Sequence, residues 1–125
     1  VLLAGACAST DAVAAQVGGA TNPAVTLIGS DPGARAAMCW TAIYDQQIRS
    51  GEASFGGPSQ TRLDYWMRSI SKANPDKVAQ QHLIMTATPQ FIAYLNGAAG
   101  PERAAKVNTV SDACSQIEQA HPGGV

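Results

Sequence analysis

His82 and Met85 stand three residues apart, so on a helix their imidazole and thioether share one face. That pair suits a soft metal such as copper or an axial haem position, with Met38, Met67 or Tyr44 as further ligands. Methionine also fills irregular cores, and the sequence has neither a Cys-x-x-Cys-His attachment motif nor a Cys/His pair at zinc spacing. No cofactor or metal is therefore expected, and a small-ligand, haem or soft-metal carrier using His82 and Met85 is the second reading. As a general base His82 lacks a neighbouring Cys, Ser or acid in a recognisable catalytic arrangement, while His121 sits in the terminal tail. Asp64, Asp76, Asp112 and Glu118 form no paired-carboxylate motif. No catalytic residue is assigned, and the chain is expected not to be an enzyme; a small hydrolase of unrecognised type is the third reading.

Two other segments imitate binding motifs. Gly51 to Pro58 is glycine-rich, but a phosphate-binding Walker loop needs a Lys followed by Ser or Thr where this chain has Pro58-Ser59-Gln60. Phe55 is expected to pin that loop to the core. Arg62, Arg68, Lys72 and Lys77 are the main basic concentration, interrupted by Asp64 and Asp76. Eight basic and nine acidic residues leave a net charge of -1, so no polyanion is drawn to the chain at long range and no nucleic-acid partner is expected.

Cys39 and Cys114 fall in two predicted helices, on faces that also carry apolar residues. Pairing them closes a long loop and is worth on the order of 4 kcal/mol in the chain-entropy account. The other reading is three buried thiols. Residues 1–18 are read either as the remnant of a secretion or lipoprotein signal or as an N-terminal helix packed through Leu2, Leu3, Val13 and Val17. Ala4-Gly5-Ala6-Cys7 resembles a lipoprotein processing site but has Ala4 where Leu is usual, and Ala12-Val13-Ala14 offers a second cleavage point.

The elements that must position these groups are helices. Residues 19–30 are expected to be a linker, with Ala24 to Ile28 extended, and 31–121 a helical domain followed by a flexible tail at 122–125. Ser30 or Asp31 caps a helix that Pro32 opens and Gly51 stops. Met38, Thr41, Tyr44, Asp45 and Ile48 share one side of it, and Ala36, Cys39 and Ile43 another. A helix from about Ser59 to Ala73 turns Leu63, Trp66, Met67 and Ile70 inward and Arg62, Arg68 and Lys72 outward. The next runs over roughly 75 to 87, Pro89 breaks the chain, and a short helix follows through Phe91, Ile92, Tyr94 and Leu95. The last, about 101 to 120, buries Val107, Val110, Cys114 and Ile117.

An all-α bundle of five or six helices, tied by one disulfide, is the expected fold. Its low content of charged residues and its cysteines suit an exported domain, periplasmic or secreted, with membrane contact only if Cys7 carries a lipid. The leading functional expectation is non-enzymatic binding of another protein or a small apolar ligand, or a structural role in an envelope. The contact surface is placed on Tyr44, Phe55, Trp66, His82, Phe91 and Tyr94, with Trp66 either a core anchor or the head of a groove.

Overall fold

In a computed structural model, residues 22–51 and 57–124 are described. They form five helices: α1 Pro23–Ile28, α2 Pro32–Ser50, α3 Pro58–Ala73, α4 Lys77–Leu95 and α5 Gly100–Ala120. The all-α bundle and its disulfide are as expected. The readings of residues 1–18, Cys7 and Phe55 lie outside the described residues.

Short polar residues start three of the helices by accepting orphan backbone N–H groups. Asn22 Oδ1 accepts from the Ala24 amide at 2.9 Å, Asp31 from Ala34 at 3.0 Å and Asp76 from Ala79 at 2.9 Å. Proline opens α1, α2 and α3, where its missing N–H costs no intrahelical bond. Gly51 ends α2 and Asn96 ends α4, each in the left-handed conformation at φ 70° and 51°.

Two boundaries differ from the sequence reading. Residues 23–28, expected to be extended linker, form α1, whose Ala24 and Ile28 enter the core while Asn22 caps its start. Six residues are too few to display a helical period, so the local signals are the Asn22 cap and Pro23 in the first turn. Pro89, expected to break the chain, lies inside a continuous α4. Pro89 itself is exposed, and Ala87, Phe91 and Leu95 on the opposite face are buried, so packing carries the helix across the missing hydrogen bond.

α2 is the central helix and touches all four others. Its buried run of Ala36, Ala37, Met38, Cys39, Ala42 and Ile43 is mostly small, which lets neighbours approach closely. Gly33 extends that surface: a Cβ there would lie 3.1 Å from Leu83 Cδ1 of α4. Cys39 of α2 and Cys114 of α5 are joined in a disulfide with Cα atoms 5.8 Å apart. Trp66 of α3 is the largest fully buried side chain of the core.

A polar clamp joins α3 to α5 beside that core. Arg62 Nε and Nη2 donate to both oxygens of Glu118, Arg62 Nη1 donates to Ser111 Oγ at 2.8 Å, and Trp66 Nε1 donates to Glu118 Oε2 at 2.8 Å. Arg62 was expected to face solvent. Instead it lies on the flank of the apolar stripe, one turn before Trp66, and its aliphatic stem reaches the clamp.

Candidate functional site

An open cleft of about 600 Å³ lies between α2 and α5, beside the start of α3. Asp45 and Arg49, one turn apart on α2, form one wall. Arg103 of α5 forms the other and closes onto Asp45 through two parallel bonds, Nη1 to Oδ2 at 2.8 Å and Nη2 to Oδ1 at 2.7 Å. That hydrogen bonding holds the Arg103 guanidinium above the ordinary arginine value, so it stays cationic. Nearer the surface, Gln46 Nε2 donates to Asn108 Oδ1 at 2.7 Å, and Val107 contributes buried apolar surface.

The charges around the cleft are unequal. Arg103 and Asp45 neutralise one another with both side chains about one-fifth exposed. Arg49 approaches the same carboxylate only to 3.8 Å and is 64% exposed, which leaves it the freer cation. Chemically the cleft offers one exposed positive group, two amide side chains and an apolar floor. Among the described residues that line it there is no His, Cys or Tyr, and the groups of nucleophile or base type are the paired Asp45 and two serines.

Of the residues expected at a binding surface, the described ones, Tyr44, Trp66, His82, Phe91 and Tyr94, do not line this cleft, and Phe55 lies outside the described residues. Trp66 and Phe91 are interior, which favours the core-anchor reading of Trp66. Tyr44 is 43% exposed and stacks on Trp40, ring centroids 4.9 Å apart. Tyr94 is half-buried; Lys106 Nζ donates to its backbone oxygen at 2.9 Å and lies 5.2 Å from its ring centroid. Burial raises the Tyr94 phenol above its usual range.

His82 and Met85 are both exposed on α4, on neighbouring positions of one face. Among the described residues, no group of three or more His, Cys, Asp or Glu side chains is gathered as a metal site. No described helix is long and apolar enough to cross a membrane.

No family model, curated protein or solved structure matches this chain. The cleft was missed in the sequence because Asp45 and Arg103 lie 58 residues apart. The visible trace is the repeat of Asp45 and Arg49 one helical turn apart, which marks a charged edge without naming its partner.

Proposed function

We propose that this chain is a small, non-enzymatic binding domain that takes a ligand with an anionic group and an apolar body into the cleft between α2 and α5. The observation that carries the reading is the unequal pairing at Asp45: Arg103 satisfies it bidentately, while Arg49 stands 3.8 Å away and exposed at the rim. A carboxylate or similar anion meets Arg49 there, and its hydrocarbon part lies over Val107 and Ala104. The pairing of Cys39 with Cys114 suits an exported, oxidising setting, periplasmic or secreted.

Titration of the isotope-labelled protein with hexanoate, hexanol and hexylamine tests this. Hexanoate is expected to shift the amide signals of Gln46, Val107 and Asn108, and Arg49→Gln to weaken its binding about fivefold at low salt and less at high salt. Shifts of equal size with hexylamine, or an Arg49→Gln variant that binds hexanoate unchanged, would overturn the reading. No shift with any of the three does the same.

A further inference from the structure

α4 carries apolar residues on its outer side as well as on its core side. Ala87, Phe91 and Leu95 face the core, while Val78, Met85 and Ile92 on the other side are 73%, 70% and 61% exposed. The exposed three recur every seven residues, so they line up along about 21 Å of helix. Between them at the surface stand Gln81, His82, Thr88 and Pro89, and the single charged residue of α4 is Lys77 at its first position. An apolar stripe along the outward side of a packed helix marks a surface for a further contact.

We propose that a second copy of this chain covers the outer face, α4 against α4, antiparallel and centred on Met85. Three features favour a copy over another occupant. The spacing is symmetric: a twofold axis at Met85 sets Val78 against Ile92 of the other copy and His82 against Thr88, so one patch serves both subunits. From Val78 to Ile92 the helix has no charge, so two copies meet without repulsion and without stranding an ion in a dry seam. An acidic or basic protein surface finds no countercharge along that stretch, and an anionic bilayer meets Lys77 alone instead of the basic face that interfacial helices carry. Antiparallel packing also sets the two helix dipoles in opposition.

Three apolar anchors per subunit make a short seam, so the dimer is expected to be weak, with dissociation in the range of roughly 10 to 100 µM. Sedimentation equilibrium of the full chain over a concentration series is expected to fit a monomer and dimer in exchange. Met85→Glu sets two carboxylates at the axis and is expected to weaken association more than tenfold, while Met85→Leu preserves it. Because Met85 is 70% exposed, thermal unfolding of the Met85→Glu variant by circular dichroism is expected to match that of the parent, which separates lost association from lost folding. A monomer throughout the series overturns the proposal, as does a dimer that Met85→Glu leaves intact. Two further outcomes also overturn it by assigning the face to another occupant. One is a monomer whose Met85 resists peroxide oxidation, which places another part of the same chain on the stripe. The other is a monomer that sediments with vesicles of equal phosphatidylcholine and phosphatidylglycerol, where Met85→Glu releases it.

Discussion

Glu118 and Trp66 meet across α5 and α3, with the indole Nε1 donating to Glu118 Oε2 at 2.8 Å. The same oxygen accepts from Arg62 Nη2 at 2.8 Å, so one carboxylate satisfies both the largest core side chain and its neighbouring cation. Glu118→Ala leaves a buried indole N–H and a partly buried guanidinium without that acceptor. The expected cost is about 2 kcal/mol, below the full figure for a buried pair because Arg62 and Glu118 keep some contact with solvent. Glu118→Gln, which retains an oxygen for Trp66, is expected to lose roughly half as much. Urea unfolding followed by Trp fluorescence checks both, and equal losses for the two variants contradict the shared-acceptor account.

Alkaline pH acts through Tyr65. Burial raises its phenol above the usual 10.0, the negative charge of Glu118 raises it further, and Arg68 partly opposes them. Its hydroxyl donates to the His121 carbonyl at 2.6 Å, a bond available only to the neutral form. Since the folded value lies above the unfolded one, the contribution is fully present below about pH 10 and is lost as pH rises through the folded value. Unfolding midpoints measured across that alkaline range are expected to fall more steeply for the parent than for Tyr65→Phe. Parallel curves for the two proteins would show that Tyr65 does not drive the loss.

Pro89 interrupts the hydrogen bonding of a helix that continues past it. As an exposed interior residue it can be replaced without disturbing the core. Pro89→Ala is expected to raise stability by about 2 kcal/mol, the gain in helix formation less the greater freedom of the unfolded chain. A thermal midpoint that does not rise counts against a continuous α4.

Removing the Cys39–Cys114 bond is expected to lower stability by roughly 2 to 5 kcal/mol, chiefly because the unfolded chain regains a long loop. The double variant Cys39→Ser with Cys114→Ser, compared with the parent in urea, checks this. Peptide mapping without reduction is expected to recover the two segments cross-linked.

These contributions were not equally legible in the sequence. Asp31-Pro32 and Gly100-Pro101 mark helix starts through backbone chemistry contained in a few adjacent residues, and α2 and α5 start there, whereas α4 starts two residues later than read, at Lys77 with Asp76 as its cap. Thr88-Pro89 has the same local form and a different outcome, because the burial of Ala87 and Phe91 against the bundle outweighs it. The inward direction of Cys39 and Cys114 followed from the apolar neighbours on their own helices. Arg62, by contrast, reads as solvated until Ser111 and Glu118 are brought to it from 49 and 56 residues away. The cleft is of that second kind, since the meeting of Asp45 with Arg103 depends on how α2 and α5 cross.

The separation of 75 residues between the joined cysteines has a practical corollary. All of α3 and α4 lies between them, so a single peptide-bond cut in that span releases no fragment. The nicked chain keeps its mass until a reductant is added, and only then divides in two. A protease working in an oxidising compartment would therefore cut this protein without dismantling it.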